Sequence, residues 1–189
     1  MQKNKISASP TRDQISNRWV QRISPKIALD DLTITGSPKR IIQEIIRTIK
    51  AEPWHASGKS KLIVFTGSHA KAKTMAAEAM AAQLDADLYR IDLKQLVSKY
   101  IGETEKNLAE LFDRAKRANS VLFFDEADAL FGERTDARAA HDRYANLETG
   151  YLLERIESFN GVVILSTNLH RNMDKTIRRR IDWAVEFSK

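Results

Sequence analysis

The sequence predicts an α/β protein: a five-stranded parallel sheet with helices on both faces, a three-layer αβα sandwich. Three observations predict it. Five short runs, Leu62–Phe65, Asp87–Ile91, Val121–Phe124, Val162–Leu165 and Ala184–Phe187, have strand length. Most are nearly all apolar, as strands buried on both faces must be. Segments of helical period separate these runs, so strands alternate with helices. Lastly, two of the runs end in polar residues able to do chemistry, Asp125-Glu126 and Asn168. In open parallel sheets that C-terminal end is where ligands bind.

The elements follow in order. Residues 1 to about 17 are polar, contain Pro10 and show no apolar period, so they are expected to be disordered. Arg18–Asp30, with Trp19, Val20, Ile23, Ile27 and Leu29, reads as an irregular strap on the body. Ser37 and Pro38 open a helix, as a cap and an early helical proline. Ile41, Ile42, Ile45, Ile46 and Ile49 give it an apolar stripe, and it ends before Pro53. After a loop over Trp54–Lys59 come the first strand, a loop over Gly67–Ala72 and an alanine-rich helix from Lys73. Glu103–Arg117 is amphipathic through Leu108, Leu111, Phe112 and Ala115. His141–Phe159 reads as a long helix, and Asp174–Arg180 as a short basic one.

Length and composition bound the function. At 189 residues the chain reads as a basic polar segment, residues 1–30, and one domain, residues 31–189. A hydrophobic content of 42% suits a packed core, and no run is long and apolar enough to span a bilayer. The N-terminus lacks a secretory signal and the chain has no cysteine, so neither disulfides nor thiolate metal sites arise. A cytoplasmic location is expected. The net charge of +6 is concentrated at the start: Lys3, Lys5, Arg12, Arg18, Arg22 and Lys26 face only Asp13 and Asp30 within residues 1–30. Such a segment reads either as an arm that touches nucleic acid or an acidic partner or as a solvated, partly disordered tail, and the tail is the preferred expectation. Nucleic acid is not expected as a partner, because no recognition motif accompanies the charge.

The chemistry starts at the first strand. Gly67-Ser68-His69-Ala70-Lys71-Ala72-Lys73-Thr74 stands where a strand passes through a loop into a helix. That is the layout of a phosphate-binding loop, G-x-x-x-x-G-K-[ST], with Ala72 in place of the second glycine. Backbone N–H groups and the helix N-terminus face the anion, the lysine reaches the outer phosphates, and the hydroxyl holds Mg2+. At the tip of the third strand, Asp125 can hold Mg2+ through water and Glu126 can deprotonate an attacking water. Asn168, at the tip of the fourth, can position that water or contact a γ-phosphate.

The order of these motifs resembles the AAA family of ATPases, most narrowly the bacterial ATPases encoded beside contractile, phage-tail-like injection systems. The segments that carry the resemblance are Ser98–Leu108 (SKYIGETEKNL), Phe124–Gly132 (FDEADALFG) and His141–Asn146 (HDRYAN), and it runs from about Leu32 to Phe187. It implies a P-loop NTPase-like fold. Lys73 and Thr74 become the Walker A lysine and Mg2+ ligand, Asp125 and Glu126 the Walker B pair, and Asn168 the sensor. Tyr100-Ile101-Gly102 matches the pore loop that grips a substrate chain in related hexamers. Arg178-Arg179-Arg180 matches the arginine cluster that reaches into a neighbouring subunit's nucleotide, with Arg179 and Arg180 favoured.

The expected function is therefore ATP hydrolysis with Mg2+ in a self-associated ring, a hexamer by resemblance, coupled to remodelling of a protein substrate or an injection-system component. Two departures bear on it. Ala72 narrows the backbone freedom of the phosphate loop. The sequence stops at Lys189, just past the fifth strand, so the helical lid of the family is expected to be absent. The competing expectation is a non-catalytic AAA module serving in binding or assembly.

Overall fold

The computed structural model describes residues 19–32, 34, 36–52, 58–93, 95, 103–117, 119–130, 150–168 and 175–187. The strands are β1 (Val20–Ile23), β2 (Lys61–Thr66), β3 (Asp87–Asp92), β4 (Ser120–Asp125), β5 (Val162–Ser166) and β6 (Trp183–Glu186). The helices are α1 (Ser37–Ala51), α2 (Ala70–Gln83), α3 (Glu103–Arg117), α4 (residues 150–158) and α5 (Lys175–Arg178). Short 3-10 turns cover Leu29–Asp31 and Ala127–Leu130.

One six-stranded sheet has the order β1-β3-β4-β5-β2-β6. Its five parallel strands are those expected, and β1 adds a sixth, antiparallel strand at the edge. The strap expected over Arg18–Asp30 is thus partly a strand. Its register, Val20 opposite Ile91 and Ile23 opposite Leu88, rests on long-range contacts. Trp19 C=O accepts Asp92 N–H at 2.9 Å, and Arg22 Nη2 meets Asp87 Oδ2 at 2.6 Å. This pairing raises the Arg22 pKa, chiefly through the hydrogen bond to Asp87. Because the pair is partly exposed, Arg22→Ala is expected to cost no more than about 1 kcal/mol in urea unfolding. It should still speed amide exchange across Val20–Ile23, since it removes the tie that fixes this short edge.

Alternation along the strands builds a core on each face. Ile63, Phe65, Leu88, Phe123 and Ile164 pack under α1 and α2, against Ile42, Ile45, Ile49, Ala76, Ala77 and Met80. Leu62, Val64, Ile91, Leu122, Phe124 and Val163 pack under α3 and α4, against Leu108, Leu111, Phe112, Leu152 and Ile156. Buried alanines on α2 let its backbone approach the sheet closely. The αβα sandwich is the expected one.

Three local boundaries differ. Ser37 lies inside α1; its cap is Gly36, at φ +77°, and Pro38 sits in the first turn. Of the helix expected over His141–Phe159, residues 150–159 fall among the described residues, and the helix ends one residue early, at 158. The loop expected over Gly67–Ala72 is shorter: α2 begins at Ala70. Ala70, Lys71 and Ala72 are good helix formers, and without a second glycine nothing keeps them out of the helix.

Candidate functional site

The site forms where β2, β5 and β4, three adjacent strands, end. The first of these ends is closed by Gly67, at φ +106°. A Cβ built there would lie 2.2 Å from Phe187 O, so a side chain cannot be accommodated. Phe187 N–H donates to Thr66 O at 2.8 Å, which ties β6 to the exit of β2.

Lys73 is 2% exposed. Its Nζ donates to Gly67 O at 2.7 Å, Thr167 O at 2.9 Å and Asn168 Oδ1 at 3.1 Å. An ammonium has three donors, and all three are used. Burial lowers the Lys73 pKa, while the nearby Asp125 and Asp128 carboxylates pull it back up. The Lys73 backbone N–H belongs to the helix, donating to His69 O at 3.1 Å.

Around it, Thr74 Oγ1 donates to Ala70 O at 3.2 Å, which leaves its lone pairs available. Ser68, Ala70 and Lys71 are exposed, and His69, Ala72 and Thr74 half-buried.

Asp125, 8% exposed, is held from two sides. Its Oδ2 accepts Arg90 Nη2 at 2.7 Å and Nε at 3.2 Å, and its Oδ1 accepts the Glu126 N–H at 3.1 Å. Glu126 turns away from the strand at φ +55°, and its side chain is exposed. Asp128 Oδ1 accepts Thr167 Oγ1 at 2.7 Å and the Asn168 N–H at 3.0 Å. Asn168 is therefore braced by the turn that follows Asp125.

The structure thus brings Lys73 and Asn168 into contact, with Asp125 and Asp128 near enough to act on the Lys73 charge. It does not bring the arginine cluster to them. Arg180 pairs with Glu157 of α4, while Arg178 and Arg179 are exposed. Tyr100, Ile101 and Gly102 lie outside the described residues. Sequence reading missed Arg90, Asp128 and Thr167. A signal existed for Arg90: it is the charged interruption within an otherwise largely apolar run. Thr74 and Asp125 supply a hydroxyl and a carboxylate, the hard oxygen donors that suit Mg2+ beside phosphate oxygens.

Comparison with known proteins identifies the family and the fold. The model of the ATPase family associated with various cellular activities (AAA) matches residues 63–189. An uncharacterized AAA family ATPase, y4kL, of Sinorhizobium fredii is 33% identical over 177 residues, covering 90% of this chain and 53% of that protein. Spastin of Gallus gallus is 31% identical over 177 residues, covering 87% of this chain and 28% of spastin. The chain spans about half, or less, of the length of these relatives. A crystal structure of the FIGL-1 AAA domain in complex with ADP superposes with a TM-score of 0.69 at 24% identity, over 93% of this chain and 60% of that one. This last likeness is one of fold.

Proposed function

The chain belongs to the AAA family of ATPases, and from that premise we propose that it binds ATP at the tips of β2, β4 and β5 and hydrolyses it between neighbouring copies in a ring of six. The observation that carries this reading is the meeting of Lys73 and Asn168 beside Asp125, from three adjacent strand ends. In the proposed site Lys73 exchanges its carbonyl partners for the outer phosphates. Glu126 takes the proton of the water that attacks the γ-phosphorus. Thr74 and Asp125 would hold Mg2+, which supplies charge neutralisation along the phosphates. Arg179 of a neighbouring copy would stabilise charge on the transferred group. It is preferred to Arg180, which is already engaged by Glu157 of its own chain.

The proposed work is the remodelling of a protein, gripped by Tyr100-Ile101-Gly102, in the cytoplasm. A component of a phage-tail-like injection system is the narrower candidate, resting on the resemblance carried by Ser98–Leu108, Phe124–Gly132 and His141–Asn146.

A second reading, a non-catalytic AAA module, is favoured by one specific observation. The phosphate loop is short, with α2 starting at Ala70, and Lys73 is fully satisfied by the protein itself. One experiment separates the two. Phosphate release is measured against protein concentration for the natural chain and for Ala72→Gly. Glycine costs the helix about 1 kcal/mol at that position and so favours opening of the first turn. The ATPase reading expects release that rises more steeply than linearly, because the arginine comes from another copy, and tighter ATP binding in Ala72→Gly. Absence of release from both proteins at high concentration decides for the second reading.

A further inference from the structure

We propose that Arg90 is the resident counter-ion of Asp125 and that Mg2+ arriving with a nucleotide must compete with it for that carboxylate, so that Arg90 sets how strongly nucleotide binding depends on the metal. The inference rests on the nucleotide-site reading above and deepens it. Its basis is the strand register. Asp92 lies opposite Asp125, and Arg90 opposite Phe123, which puts Arg90 diagonal to Asp125 on one face of the sheet. The guanidinium reaches across and sets two donors on a single oxygen, Oδ2, at 2.7 and 3.2 Å. With Oδ1 accepting the Glu126 N–H, both oxygens of this nearly buried carboxylate are engaged.

A buried carboxylate needs such a partner. A divalent cation held through water offers the same compensation, but the guanidinium already on Oδ2 opposes its approach, because two cations beside one carboxylate repel each other strongly. Withdrawal of Arg90 relieves that repulsion, and the structure gives it somewhere to go. Its side chain is 42% exposed on the open side of the site. Beside it lies a cavity of about 200 Å³ lined by Trp19, Val20, Gln21, Arg90, Asp92 and Gln95. Asp92, two residues along the same strand face, is a second carboxylate within that cavity. Its oxygens accept the Gln95 N–H at 3.0 Å and Nε2 at 2.7 Å, and a carboxylate has lone pairs beyond those two. The strand β1 that completes this cavity is thereby linked to the metal site.

The test uses the full chain and a fluorescent ADP analogue, titrated in Mg2+ and again in EDTA, with the natural protein, Arg90→Gln and Arg90→Lys. Arg90→Gln is expected to tighten binding in Mg2+ on the order of tenfold, the size of one charge-assisted contact that no longer competes. Binding in EDTA should not tighten. Arg90→Lys keeps the charge but loses the fork, and should raise the EDTA-to-Mg2+ ratio of Kd by a smaller factor. It decides alone if Arg90→Gln does not fold. A measurable Kd with an unchanged ratio in the variants overturns the role of Arg90 and leaves the nucleotide site standing. No binding by any of the three proteins overturns both.

Discussion

Glu126→Gln is expected to keep nucleotide binding and to lose roughly 10²–10⁴-fold in phosphate release, the contribution of a positioned general base. The side chain is exposed, so neither packing nor a buried charge complicates the change. The amide has nearly the same shape, and glutamine meets the left-handed backbone at φ +55° about as glutamate does. What it lacks is the ability to take a proton. Single-turnover phosphate release beside a binding titration checks both halves of the expectation. If the base acts on a nucleotide completed by another copy, mixing Glu126→Gln with Arg179→Ala should restore part of the activity. Mixed interfaces then pair an intact carboxylate with an intact arginine. Equal turnover in Glu126→Gln and the natural chain would remove Glu126 from the chemistry.

Gly67→Ala is expected to destabilise the fold on the order of 3 kcal/mol, combining backbone strain with a steric clash. The alanine Cβ would sit 2.2 Å from Phe187 O and 2.9 Å from Phe187 C, both backbone atoms. Relief requires β6 to move, at the expense of the bond from Phe187 N–H to Thr66 O. Gly36→Ala provides the comparison. Gly36 also has positive φ, +77°, but nothing lies within 4 Å of where its Cβ would stand. Only the backbone contribution, which comes from φ +77° with ψ −139°, applies there, so the loss should be the smaller of the two. Urea midpoints at constant slope measure both. Equal losses at the two positions would show that β6 yields freely.

Most of the sheet could be read from sequence because burial on both faces demands apolar runs, and Val121–Phe124 and Val162–Leu165 can hardly be anything else. β1 could not. Four residues are too few to show a period, and what makes Val20–Ile23 a strand is its pairing with β3, where Arg22 meets Asp87, 65 residues beyond it. The site divides in the same way. Lys73, Asp125 and Asn168 were legible because each stands at the tip of an element. Their present partners were not. That Lys73 spends its donors on Gly67 and Thr167 depends on where α2 begins, and that boundary turned on Ala72. The tie between Arg90 and Asp125 depends on register across 35 residues, which no local pattern encodes.

The two outermost strands have a bearing on solubility. β1 and β6 are each four residues long, and each carries an exposed charged residue, Arg22 on one and Glu186 on the other. Long, flat, uncharged edges recruit strands from other molecules, and short charged ones resist it. In the ring proposed above, copies of the chain would be held at high local concentration, where unwanted sheet-to-sheet joining is most dangerous. The short, charged edges of this sheet therefore resist extension by a strand of another molecule.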